Sequence, residues 1–298
     1  MDKKQLSEVA KRVFKEDEIE NDLTSKILFR DSRIKKDEWI RFDLLAKEEG
    51  VFAGRAWVEA VADEVPFKEN SLYDSSIEFY KDGQVFKTGT ILLSALAPHG
   101  DLLSIERSFL NMLQHLCGVA TQTRKFVDLI DETSKKKNLK TIPKLLHTRK
   151  TLPLIRDLQI EAVLAGGAQL HRRDLSSRIM LKDNHQQILK KHNLKVDQWI
   201  KETWSLEERL SAIVEVDTAA EAIAVASTGV GQLLLDNFQA QQIDELLPRL
   251  PEGIKIEVSG GINLLNLPDY VISGVDFISV GALTHSVKGV DLSLEFRQ

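Results

Sequence analysis

Leu6, Val9, Ala10, Val13 and Phe14 recur at helical spacing, which predicts an amphipathic helix over residues 3–15. The apolar period then shortens to that of strands. WIRFDLLA (39–46) and VFAG (51–54) read as strands and RAWVEAVADEV (55–65) as a helix. SIEFYKDGQVFKTG (76–89) reads as a hairpin turning at Asp82-Gly83, and TILLSALAP (90–98) extends the same sheet. From near Gly100 to about Thr133, Leu110, Leu113, Gln114, Cys117, Ala120, Thr121 and Arg124 share one face of a long helix. Within it, Gly118 marks either a bend or the close approach of another backbone.

Beyond residue 141 the texture changes. AIVEV (212–216), QLLLD (232–236), IKIEV (254–258) and DFISV (276–280) alternate with helical stretches about every 22 residues. Short apolar runs in this rhythm predict parallel strands, buried on both faces and joined by crossover helices. The fold class is therefore α/β. An N-terminal α+β sandwich domain is expected over residues 1–113. An α/β barrel of parallel strands, complete or incomplete, is expected over residues 114–298, its last residues packing back on the N-terminal domain.

Composition narrows the partners. The 298 residues are 43% hydrophobic and 29% charged, an ordinary globular balance, and a chain of this size buries about three quarters of its surface. A net charge of −5 argues against nucleic acid, and no apolar window approaches a membrane span. The first twenty residues lack an apolar run ending in small residues, and the lone Cys117 has no partner for an internal disulfide. A cytoplasmic location follows as the expectation. Cys117 itself reads as a small buried residue of the long helix.

In α/β barrels the chemistry sits at the C-terminal strand ends. Here those positions hold Lys182-Asp183, Glu215, Asp236, Ser259-Gly260-Gly261 and Gly281, the last four spaced by 21, 23 and 22 residues. Singly, an acid there serves equally well as a helix cap; in register, the set forms an arc around one mouth. SGGI and VGA, each expected to open a helix, offer backbone N–H groups to a phosphate. Residues 141–185 carry eight Lys/Arg against four Asp/Glu, with His147, His171 and His185. Arg149, Lys150, His171, Arg172 and Lys182 are thus expected to face a polyanion, planar carboxylates suiting Arg and phosphates suiting either cation. The histidines lack zinc-ligand spacing.

TRKTLP (148–153), AGGAQLHRRDL (165–175), LKDNH (181–185), VEVDTAAEA (214–222), LLLDN (233–237), EVSGGI (257–262) and GVDFISVGALTHS (274–286) resemble the C-terminal barrel of the quinolinate phosphoribosyltransferases. The resemblance extends upstream through ERSFLNMLQHLCGVATQTR (106–124) to DLTS (22–25), so it spans essentially the whole chain. It implies phosphoribosyl transfer from phosphoribosyl pyrophosphate to quinolinate, with Mg²⁺, giving nicotinate mononucleotide, pyrophosphate and CO₂ in NAD biosynthesis. It further implies a homodimer or higher homo-oligomer with a shared active site.

Carried residue by residue, the resemblance puts Arg149, His171, Arg172 and Lys182 on the quinolinate carboxylates, with Arg107 reaching in from the neighbouring subunit. It puts Lys150, Ser259, Gly260 and Gly281 on the donor phosphates, and Glu215 and Asp236 on the ribose hydroxyls or Mg²⁺. Lys182, Glu215 and Asp236 stand nearest the chemistry. The chain departs from the family pattern at His147 (usually Asp), Leu152 (usually Thr), Ala168 (usually Gly) and Ser177 (commonly Asp). Two other readings remain open here: another acceptor such as nicotinate on the same fold, and a Schiff-base aldolase barrel with Lys182 as nucleophile.

Overall fold

The computed structural model describes residues 2–69 and 80–297. Its first half forms α1 (Lys3–Glu16), α2 (Leu23–Leu28), β1 (Trp39–Ala46), β2 (Gly50–Val51), α3 (Arg55–Glu64), β3 (Lys68–Glu69), β4 (Val85–Phe86), β5 (Ile91–Pro98) and α4 (His99–Lys136). The barrel strands are β6 (Lys144–Leu146), β7 (Met180–Leu181), β8 (Ile213–Val216), β9 (Gln232–Asp236), β10 (Lys255–Ser259) and β11 (Phe277–Ser279). Between and after them lie α5 (Arg156–Ala165), α6 (Asp183–Lys191), α7 (Val196–Thr203), α8 (Leu206–Ser211), α9 (Ala219–Ala226), α10 (Ala240–Leu246), α11 (Leu267–Tyr270), α12 (Ala282–His285) and β12 (Leu292–Arg297). Two compact units result: Met1–Arg124 with Thr151–Gly167 and Leu283–Gln298, and Lys125–Lys150 with Ala168–Ala282.

The first unit is built around an antiparallel sheet of order β12-β1-β5-β3. α1 begins at a capping box between Asp2 and Gln5 and buries Leu6, Ala10 and Phe14, the stripe its spacing predicts. Trp57 of α3 is fully buried and donates from Nε1 to the Phe109 carbonyl of α4 at 3.2 Å. α4 runs unbroken through Gly118, and a Cβ there would lie 2.4 Å from the Lys288 carbonyl. Close backbone approach is therefore the reason for that glycine. Cys117 is buried, donates to the Ala53 carbonyl at 3.4 Å, and has its thiol pushed up to about 12 by burial.

The expected hairpin is seen at its turn and on its second strand. Gly83 takes φ +90° and Gln84 N–H donates to the Lys81 carbonyl, so the turn exists, but β4 pairs with β2. Tyr80 N–H donates instead to the Leu92 carbonyl; residues 76–79 of the expected hairpin lie outside the described residues. The strand expected over 51–54 also ends early, at Val51. Gly54 at φ +122° turns the chain into α3, whose first N–H groups are held by the Asp82 carboxylate at 3.0 and 3.1 Å.

The second unit holds a parallel six-stranded sheet of order β6-β11-β10-β9-β8-β7. Its first strand pairs with its last, so the sheet curls on itself in chain order, as a barrel does. Among the described residues no ladder joins β6 to β7; Leu146 of β6 makes an isolated bridge to Gln169 on the segment before β7, and the barrel is incomplete at that junction.

Candidate active site

Strand register explains how one mouth collects groups that lie far apart in sequence. Met180-Leu181 pair with Ile213-Val214, which brings Lys182 level with Glu215; Glu215 pairs with Leu234, Leu234 with Glu257, and Asp236 with Ser259. Paired residues in a parallel sheet point to the same side, and alternate residues do so along each strand. Lys182, Glu215, Asp236, Glu257 and Ser259 therefore share one face.

The contacts follow that geometry. Lys182 Nζ donates to Glu215 Oε2 at 3.0 Å, with Glu215 almost fully buried and Lys182 half-exposed. Gln186 of α6 donates to the Glu215 carbonyl at 2.5 Å. Asp236 is held above the usual carboxylate range by burial first, then by the charges of Glu215 and Asp217, against the pull of Lys182 and Lys150. Asn237 donates to Asp236 Oδ2 at 2.8 Å. The acids of β8 and β9 thus form a negative edge with too little positive charge beside it.

The cationic edge lies on the loops after β6 and before β7. Arg172 sits below the usual guanidinium range because of burial and then the charge of Arg149, while Glu215 and Glu257 pull it back. Arg149 itself keeps a buried Nε with no hydrogen-bond partner. Two crowded guanidiniums, one with an orphaned donor, are a site for an anion. His171 Nε2 lies 3.2 Å from Glu257 Oε2. His147 is buried, 3.1 Å through Nδ1 from the Thr148 carbonyl, with its ring edge-to-face on His171 at 6.4 Å. The departure at 147 therefore rests directly on a proposed binding group.

The expected helix after the glycines is found for VGA, where Gly281 directly precedes α12, and not for SGGI. Gly260 and Gly261 take φ +96° and +59°, and a Cβ on Gly260 would lie 2.2 Å from Asn237 Oδ1. The loop after them is shaped by Asn263 and Asn266, and the next helix begins only at Leu267. Gly281 directly precedes the four-residue α12. Lys150 is exposed, its backbone N–H on Thr148 Oγ1 at 3.2 Å. Ser177 closes a turn on Asp174, and Leu152 N–H donates to Gln159 Oε1 at 2.7 Å. Arg107 lies exposed on α4 in the other unit, beside a hollow of about 370 Å³ lined also by Asn111, His115 and Leu152.

Glu257 was missed by the sequence reading. A charged residue interrupting the apolar strand IKIEV was the available signal. Among the described residues no three His, Cys, Asp or Glu side chains gather as a metal cage.

Residues 22–117 match the N-terminal domain of quinolinate phosphoribosyl transferase and residues 119–295 its C-terminal domain. The chain belongs to the quinolinate phosphoribosyltransferase family. Among its relatives it is 33% identical over 295 residues to a probable nicotinate-nucleotide pyrophosphorylase [carboxylating] of Bacillus subtilis (strain 168), covering 98% of this chain and 93% of that protein. It is likewise 33% identical over 255 residues to a nicotinate-nucleotide pyrophosphorylase [carboxylating] of Mycobacterium leprae, covering 85% and 84%. The crystal structure of NadC from Streptococcus pyogenes superposes with a TM-score of 0.81 at 29% identity, covering 100% and 99%. The incomplete barrel and the small antiparallel domain are thus the architecture of a phosphoribosyltransferase family.

Proposed function

We propose that the chain transfers a phosphoribosyl group from phosphoribosyl pyrophosphate to quinolinate, with loss of CO₂, to give nicotinate mononucleotide for NAD biosynthesis. The observation that carries this reading is the division of one mouth into a cationic edge and an acidic edge, joined by the Lys182–Glu215 pair. A dicarboxylate acceptor and a ribosyl cation in the making call for those two edges side by side.

Arg149 and Arg172 take the quinolinate carboxylates, His171 and Lys182 completing the clamp; the orphaned Arg149 Nε supports this role. Arg172 is lowered by burial first and then by the charge of Arg149, and an anion between the two arginines relieves that repulsion. Lys150, Ser259, Gly260 and Gly281 hold the donor phosphates, Gly260 by its positive φ and lack of side chain. Glu215 and Asp236 face the ribose, where their negative charge stabilises the developing oxocarbenium ion. Holding the ring nitrogen against the anomeric carbon supplies most of the remaining rate.

The same two carboxylates suit Mg²⁺ arriving with a diphosphate, since this ion takes one or two carboxylates and completes its shell with phosphate and water. Asp236 is raised by burial first and then by the repulsion of Glu215 and Asp217, and a cation at this edge would relieve that repulsion. When bound, the ion neutralises charge on the departing pyrophosphate. In the working oligomer we place Arg107 of a second copy at the mouth, completing a shared site in the cytoplasm; among the described residues no helix is long and apolar enough to cross a membrane.

The test is turnover with phosphoribosyl pyrophosphate, Mg²⁺ and either carboxyl-labelled quinolinate or nicotinate. Equimolar CO₂ and mononucleotide from quinolinate alone is the expected result. Product from nicotinate instead would overturn the assignment of acceptor.

A further inference from the structure

Glu257 lies on β10, one turn of the strand pleat below Ser259, and is 1% exposed. Three side chains meet its carboxylate: Gln232 of β9 donates to Oε2 and Ser279 of β11 to Oε1, while His171 Nε2 lies 3.2 Å from Oε2. Two are neutral side chains fixed in neighbouring strands; the third belongs to the loop that forms the cationic edge of the mouth. Burial of a carboxylate is costly unless its oxygens are hydrogen-bonded, and of the three side chains that meet this one only His171 belongs to the proposed site.

We propose that Glu257 is a positioning residue for the acceptor clamp, fixing the ring orientation and tautomer of His171 from beneath the mouth. The proposal rests on the quinolinate reading for its kinetic consequence and on hydrogen-bond chemistry for its geometry. Gln232 and Ser279 already use the carboxylate as an acceptor, one at each oxygen, so the contact at 3.2 Å assigns the shared proton to His171 Nε2. Nδ1 is then the ring atom left to serve the mouth. Gln232 and Ser279 stop the carboxylate from turning, so strand register is transmitted to a loop residue. The other charged or titratable groups facing this pair are His147 on the loop after β6, Arg149 and Glu215 through Arg172, and Arg172 and Arg178, both of which feel the charge of Glu257.

The experiment joins a spectrum to kinetics. Long-range ¹H–¹⁵N spectra of histidine-labelled protein, with the His171 signals assigned by their loss in His171→Asn, should show Nε2 as proton-bearing in the parent and the signature lost in Glu257→Met. KM for quinolinate should rise about 10- to 100-fold in that variant, the worth of a hydrogen bond to a charged group. KM for phosphoribosyl pyrophosphate should change less than about twofold, since the donor site keeps all its groups. Glu257→Gln keeps an oxygen acceptor beside Gln232 and should retain the tautomer with a smaller rise. A parent spectrum with unprotonated Nε2 overturns the proposal even if Glu257→Met does not fold. So does an equal rise in both KM values with the His171 signals unmoved. Absence of quinolinate turnover in the parent would sink the acceptor assignment and leave the spectrum to decide the Glu257–His171 contact.

Discussion

At Asp236, function and stability pull in opposite directions. Its pKa is raised, so the folded protein binds that proton more tightly than the unfolded chain. The resulting stabilisation is full below the ordinary carboxylate value and disappears as pH rises through the raised one. Asp236→Asn should therefore raise Tm at pH 7, with the gain vanishing below about pH 4, while turnover falls about 10²- to 10³-fold. Melting curves at the two pH values check it; a lower Tm at pH 7 would show that Asp236 is already compensated. On the cationic edge, Arg149→Ala should raise KM for quinolinate about 10- to 100-fold, because it removes one of the two guanidiniums proposed to hold the carboxylates. These groups were legible in the sequence because each ends an apolar run. Glu257 was hidden by the same rule, since it stands within its strand, where no end-of-strand search looks.

Elements carry the next level of control. Gln159 of α5 is fully buried; it accepts from Leu152 N–H at 2.7 Å, lies 2.8 Å from His115 Nε2 of α4, and donates to the Thr284 carbonyl at 3.1 Å. One side chain thus ties the loop that follows Lys150 to two helices. Gln159→Leu should cost about 1–3 kcal/mol, because it removes a buried donor from the carbonyl of buried Thr284 and the acceptor of the Leu152 N–H, and urea denaturation with unchanged m-value would measure it. Element types were legible wherever period and length agreed, as in α1, α4 and the barrel strands β8 to β11. Pairing was not. The turn at Asp82-Gly83 was legible, but not that β4 would pair with β2 nor that Asp82 would hold the start of α3. SGGI resembles a helix entrance, but Asn263 and Asn266 bind the backbone locally and delay the helix to Leu267.

For the whole molecule, the decisive residue is Arg107. It belongs to the unit formed by Met1–Arg124, Thr151–Gly167 and Leu283–Gln298, whereas Lys182 and the rest of the proposed site belong to the other. The family fold was legible along the whole chain because its motifs sit at strand ends in order. Assembly entered only as an implication of the family resemblance, since no pattern within one chain states which copies meet. If Arg107 serves the site of a second copy, two inactive proteins should repair each other. Arg107→Ala destroys the donated arginine, and Lys182→Ala destroys the receiving mouth. A mixed dimer then contains one site that draws Lys182 from the first variant and Arg107 from the second, both intact, and one site that lacks both. Random exchange of equal amounts leaves half of the dimers mixed, so recovered activity should approach about a quarter of the parent level in a two-fold dimer. The measurement is activity after unfolding and refolding the variants together, against each refolded alone. Recovery near zero, with mixed dimers verified by native mass spectrometry, would place Arg107 in the site of its own chain.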